Sequence, residues 1–253
     1  MENCPTTVLA GLPIARVGIA ESADDFIQQA LKRRGGNAKP FYSTSANGQV
    51  IALCQQDDHF REIVTKADQI HADGMSLVLF SKILSSHPLP ERVATTDLVH
   101  AVAKRAEAAG CSFYFLGGSE DVNAKTVETM RAAYPGLIIA GRRNGYFKPE
   151  EEEGVIAEIQ AASPDILWIG FGVPLEQQFI SRNIDRLDRV GVIKTSGGLF
   201  DFLSGKKRRA PQWLQQAGLE WAYRMFLEPR RLGKRYFTTN PIAIHALIKR
   251  SRR

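Results

Sequence analysis

The sequence predicts an α/β fold, a doubly wound and mostly parallel sheet followed by a basic helical C-terminal appendage, and three observations carry that prediction. Short apolar runs rich in β-branched and aromatic residues alternate with helix-length segments, the mark of βαβ units. At 253 residues, 44% of them hydrophobic, the chain is long enough for one large packed domain or a domain with an appendage. Charge is unevenly spread: residues 205–253 hold 13 Lys and Arg against 2 Asp and Glu, a balance of +11. That leaves 20 against 25 for residues 1–204, a mildly acidic body. The expected organisation is therefore a Rossmann-like body over 1–204 and an amphipathic appendage over 205–253.

The elements follow in order. An N-terminal β-hairpin over "TVLAGLPIARVG" adds an edge, and Ser22 opens a helix over "ADDFIQQALKRR". Strands are predicted at 39–45, 68–72, 112–118, 137–141, 165–172 and 191–197. Thr96 precedes a second helix, "DLVHAVAKRAEAAG". The segment "KPEEEEGVIAEIQAA" places its proline and acids in a first turn, as a helix dipole prefers. In the appendage Pro229 suits the first position of one helix and Pro241 the first position of another.

Composition narrows the function classes. Cys4, Cys54 and Cys111 form no paired framework and no C-x-x-C spacing, which argues against structural zinc and a secreted disulfide scaffold and fits a reducing cytoplasm. The N-terminus lacks a basic region followed by an apolar one, and no run approaches the roughly 20 apolar residues that span a bilayer. The expectation is a protein neither exported nor transmembrane.

In an open parallel sheet, ligands gather outside the carboxyl ends of the strands. Three turns there carry small or polar residues: Gly117, Gly118 and Ser119; Gly170, Gly172 and Pro174; and Thr195, Ser196, Gly197 and Gly198. Together they suggest a nucleotide lying across this edge. The G-x-G-x-x-G fingerprint, the P-loop and a D-x-D pair are all missing from the sequence, so no cofactor and no metal are expected, and arginines and helix N-termini must neutralise any diphosphate. In "HADGMS", position alone makes Asp73 a cap for the helix starting near Met75; at a ligand edge it is also a carboxylate able to accept a proton. His71 alternates inward along a strand and reads as structural. Arg92, just before a helix, suits either a phosphate contact or a salt bridge.

The ordered set "ADG", "LPERVA..DL", "FLGG", "GYFKPEE", "GFGVP..QQ.I" and "SGGLFDFLSGKKRRAP.W....GLEW.YR...EPRRL..RY" resembles the WecG/TagA/CpsF family of bacterial glycosyltransferases, from about Phe41 to Tyr236. The resemblance implies an inverting, metal-independent transfer of a hexose or N-acetylhexosamine from a UDP-sugar to a polyprenyl-diphosphate-linked saccharide, on the inner face of the cell membrane, in making cell-surface polysaccharide. It implies Asp73 as general base and carries the family's arginine onto Arg92. Its T-x-N element falls on Ser45 and Asn47, with Thr44 adjacent. Where the family reads G-x-P-x-Q-E this chain reads "GVPLEQQ", so its glutamine position is Glu176 and its glutamate position Gln177. N-acetylmannosamine-type donors are well represented in the family; the carboxylate at 176 keeps open a UDP-glucose donor with a glucosyl-diphospho-lipid acceptor, as in xanthan-like exopolysaccharide assembly.

The appendage interleaves aromatic and basic residues, which suits an anionic membrane surface. Arg224 and Arg231 are expected to fold over the body and clamp phosphates. Covering an apolar body surface would also hide a subunit interface, which leaves a homo-oligomer open. The rival classes are a nucleic-acid binder, unsupported by any RRM, KH or zinc-finger pattern, and a non-catalytic UDP-sugar sensor.

Overall fold

The structure, a computed structural model, describes residues 4–36, 38–216 and 218–251, without the side chains of Gln216 and Arg231. The hairpin β1 (Thr6–Leu9) and β2 (Leu12–Ala15) precedes α1 (Ile19–Arg33). There follow β3 (Phe41–Ala46), α2 (Gly48–Gln56), α3 (Asp58–Thr65), β4 (Gln69–Ala72), α4 (Met75–Leu84) and α5 (Thr95–Ala109). Next come β5 (Ser112–Gly117), α6 (Glu120–Ala133), β6 (Ile138–Arg143), α7 (Glu152–Ala162), β7 (Ile166–Gly170), α8 (Leu175–Asn183) and β8 (Val192–Thr195). The chain closes with α9 (Leu199–Leu203), α10 (Gln212–Gln216), α11 (Glu220–Leu227) and α12 (Pro229–Arg250).

Six strands form one sheet in the order β4-β3-β8-β7-β5-β6, every neighbour pair parallel. The doubly wound Rossmann-like reading therefore holds, and each of the six predicted sheet strands is present. The chain leaves β3 outward to β4, but reaches β8 from β7 on the other side. Loops after β3 and β8 consequently diverge, and a crevice opens at their carboxyl ends.

The pleat sorts the strands' apolar residues onto two faces. Phe113, Phe115 and Trp168 pack with Phe26, Leu98, Val102 and Met130 of α1, α5 and α6. Tyr114, Leu116, Leu167, Ile169 and Ile193 pack with Val155, Ile159, Phe179 and Ile180 of α7 and α8. Each such fully buried side chain stabilises by about 1.5–3 kcal/mol. A third cluster joins Leu9, Leu12 and Ile14 of the hairpin to α2, α3, α4 and, through Ala243, Ala246 and Leu247, to α12. The hairpin turns on Ala10 and Gly11, both at positive φ (52° and 82°), and Gly11 N–H donates to the Arg250 carbonyl at the end of α12 (2.9 Å).

Three predicted helix starts are corrected. Ser22 lies inside α1, its hydroxyl donating to the Gly18 carbonyl; Gly18 is the N-cap, and Glu21 accepts from its N–H (3.0 Å). The cap before α5 is Ala94, not Thr96, because a carboxylate from elsewhere takes the first N–H of that helix. Pro229 does open a helix, but Pro241 lies within α12 rather than starting another. Packing of α12 along α2 carries the helix through the missing N–H: Gly48 leaves room for Asn240 and Ala243 to sit against α2.

Candidate active site

The carboxyl ends of the strands and the appendage enclose a cleft of about 1130 Å³. Ser45, Asn47, Asp73, Arg92, Gly118, Gly172, Glu176, Ser196, Gly197, Gly198 and Arg224 all line it, so most of the residues singled out in the sequence converge there. Gly117 and Gln177 are not among the lining residues. The side chain of Arg231 lies outside the described residues.

Asp73 follows β4, with its backbone N–H held by the Ala46 carbonyl (3.0 Å). Its carboxylate caps a helix, but a different one from that expected: Oδ1 accepts from Thr95 N–H at the start of α5 (3.3 Å), while α4 is capped by Gly74 without a side-chain bond. One carboxylate oxygen is thereby oriented by a fixed dipole, and the residue lines the cleft. Asn47 is the N-cap of α2, its Oδ1 accepting from Gln49 N–H (3.0 Å) and Val50 N–H (3.2 Å). Ser45 sits between Thr95 Oγ1 (3.3 Å) and Lys194 Nζ, which donates to its Oγ (2.7 Å).

Lys194 is the residue that sequence reasoning passed over. It is fully buried on the central strand β8, where an unpaired lysine is rarely tolerated. Burial pushes its pKa down to about 7, against the opposing pull of the Asp73 and Glu176 carboxylates. The available signal was a lysine inside the apolar run "GVIKT" of a strand predicted to be covered on both faces. His71 is structural, as expected: it is buried, its Nδ1 lies 3.2 Å from Ser43 Oγ, and burial and Lys194 hold its pKa well below the ordinary value.

The glycine turns differ in two ways from open phosphate cradles. Gly117 is a steric necessity, since at φ 142° a Cβ would overlap the Gly170 carbonyl where β5 and β7 end side by side. Gly118 N–H is spent on that same carbonyl (3.3 Å), so it offers no donor to a phosphate. The other two turns are bridged by a protein carboxylate: Glu176 Oε2 accepts from Gly197 N–H (2.9 Å) and Gly172 N–H (3.3 Å). Burial raises the Glu176 pKa to about 7, against these hydrogen bonds and Lys194. Gln177, 1% exposed, lies beneath the cleft with Nε2 3.5 Å from Thr44 Oγ1, so it stands behind the site rather than in it.

Arg92 lines the cleft in an ion pair. Its Nη1 donates to Glu220 Oε2 of α11 (2.9 Å), with Asp97 at 3.9 Å, and Arg209 joins Asp97 to Glu220 from the other side. The appendage is thus pinned over the site by charges half-shielded from water. Arg224 stacks over the Phe202 ring (5.4 Å), and Arg182, Lys207 and Arg235 add to the basic lining. Among the described residues no cluster of three or more His, Cys, Asp and Glu forms a metal site, and no helix is long and apolar enough to cross a membrane.

Comparison with known proteins adds two findings. The model of the glycosyl transferase WecG/TagA/CpsF family matches residues 7–253. The N-acetylglucosaminyldiphosphoundecaprenol N-acetyl-beta-D-mannosaminyltransferase of Bacillus spizizenii is 31% identical over 214 residues, covering 85% of this chain and 81% of that relative.

Proposed function

The chain belongs to the WecG/TagA/CpsF family of glycosyl transferases, and on that premise we propose that it moves an N-acetylmannosamine-type sugar from a UDP-sugar to N-acetylglucosaminyl diphosphoundecaprenol, with inversion and without a metal. The observation that carries the reading is a carboxylate at the strand-end cleft, Asp73, oriented by the α5 N-terminus. In a single displacement the acceptor hydroxyl attacks the anomeric carbon. Its proton passes to Asp73, the new C–O bond forms as the bond to UDP breaks, and the electron pair leaves on the β-phosphate oxygen.

Cations of the protein serve the departing diphosphate. Arg224, Lys207 and Arg235 line the cleft, and Arg92 meets the diphosphate in competition with the Glu220 carboxylate. Ser45 and Asn47 border the sugar. Glu176 is committed to the backbone amides of two turns, so its exchange for the family's glutamine does not argue for a glucose donor. The appendage holds the enzyme peripherally on the cytoplasmic membrane face, with Trp213, Trp221, Phe226 and Phe237 exposed.

The reading is tested by offering UDP-N-acetylmannosamine and UDP-glucose with lipid-diphosphate acceptors. We expect turnover with the former. Asp73→Asn should lower kcat by about 10²- to 10⁴-fold while UDP affinity, measured by calorimetry, stays within about threefold. An unchanged kcat removes Asp73 as the base, and UDP binding without turnover of any donor by the native chain favours a sugar sensor.

A further inference from the structure

Two helices leave the cleft together and change character in step. α4 begins two residues after Asp73, and Met75, Leu79 and Ile83 recur on one face at intervals of four. Leu79 and Ile83 are 53% and 77% exposed, although the opposite face of the helix is packed into the core. On α12, Arg235 and Asn240 lie beside the start of α2: Arg235 Nη1 donates to Gln49 Oε1 (3.0 Å), and Asn240 abuts Gly48. Farther along, α12 carries Ile244 and Ile248, 44% and 60% exposed, before a basic last turn of Lys249 and Arg250. Leu79 and Ile244 line the same cleft as Asp73. β1 packs on both helices, with Leu9 in the core cluster beneath them.

The result is a groove, floored by the hairpin, that is polar at the reacting end, apolar along its length and rimmed at the outer end by Lys82, Lys249 and Arg250. One leucine and three isoleucines exposed on neighbouring helices mark a surface that is covered in use. We infer that the groove between α4 and α12 holds the isoprenoid chain of the lipid-linked acceptor, an assignment that rests on the proposed transfer to such an acceptor. The order of the groove matches the order of that molecule. Its sugar hydroxyl must reach Asp73, its diphosphate follows, and its hydrocarbon comes last. Ten residues of α4 rise about 15 Å, enough for several isoprene units to leave the site without crossing water.

The test compares two N-acetylglucosaminyl diphosphate esters in the same detergent, one of butanol and one of undecaprenol, using Ile83→Ser together with Ile248→Ser. Both side chains are exposed, so the substitutions leave the core intact. The KM for the undecaprenyl ester should rise about tenfold, and kcat/KM for the butyl ester should stay within about twofold of native. An equal effect on both esters, or none on either, overturns the groove while leaving the proposed reaction standing. No turnover of either ester by the native chain overturns the reaction and the groove with it. Unchanged KM values with loss of sedimentation on phosphatidylglycerol vesicles would instead make this face a bilayer contact, and unchanged KM values with a smaller sedimentation coefficient a contact between copies; either result overturns the assignment.

Discussion

At the scale of single residues, ionisation at and beneath the cleft is set by what surrounds each group. Glu176 and Lys194 are both buried, and burial has moved their pKa values toward each other, each to about 7. Between pH 4.5, the ordinary glutamate value, and about 7, the unfolded chain has ionised Glu176 while the folded chain retains its proton; folding takes up a proton, and stability falls as pH rises. Between about 7 and 10.5, the ordinary lysine value, the unfolded chain keeps Lys194 protonated while the folded chain does not; folding releases a proton, and stability rises with pH. These two groups therefore impose a dip in stability near neutral pH. Thermal melts from pH 5 to 10 should show it in the native chain and a flatter profile in Glu176→Gln combined with Lys194→Met. Equal profiles would show that the pair does not titrate in this range. Asp73 was legible in the sequence because the turn after a parallel strand is where a ligand-facing carboxylate belongs. The helix it caps was not, since the Thr95 N–H comes from 22 residues away.

Among the elements, strands were more legible than helix ends. A buried parallel strand announces itself by a continuous apolar run, whereas a helix start depends on which group satisfies its free N–H donors. At α1 and α5 those groups are Glu21, Glu91 and Asp73, two of them distant in sequence. α12 shows the converse case, in which packing overrides a strong local breaker. Pro241 is exposed inside the helix, removes one backbone hydrogen bond and stays helical because neighbouring turns are held to α2 and the hairpin. Pro241→Ala restores that bond and should raise stability by about 1–3 kcal/mol, read from urea denaturation. A loss of stability would mean that the proline ring itself is required for α12 to follow α2.

For the molecule as a whole, the appendage contributes to both the core and the cleft. Ala243, Ala246 and Leu247 of α12 share a cluster with Val50, Ile51 and Cys54 of α2, and Glu220 closes on Arg92. Removing residues 205–253 should abolish turnover by taking Arg224 and Arg235 from the cleft. It should also bare the apolar side of α2, giving concentration-dependent self-association in sedimentation velocity. A truncated chain that stays monomeric and active would show that the appendage is dispensable. By itself the sequence determined the parallel α/β body, the strand ends at which the cleft opens and the charge split between body and appendage. Hydrophobic period and residue type are local properties that survive without knowledge of neighbours. Only the tertiary structure decided that Glu176 spends its carboxylate on two backbone turns, that Lys194 lies beneath Ser45 and that Arg92 is paired with the appendage. Each of these is a contact between residues far apart in the chain, fixed by which strands lie side by side and which helix closes over them, and no spacing along the sequence encodes it.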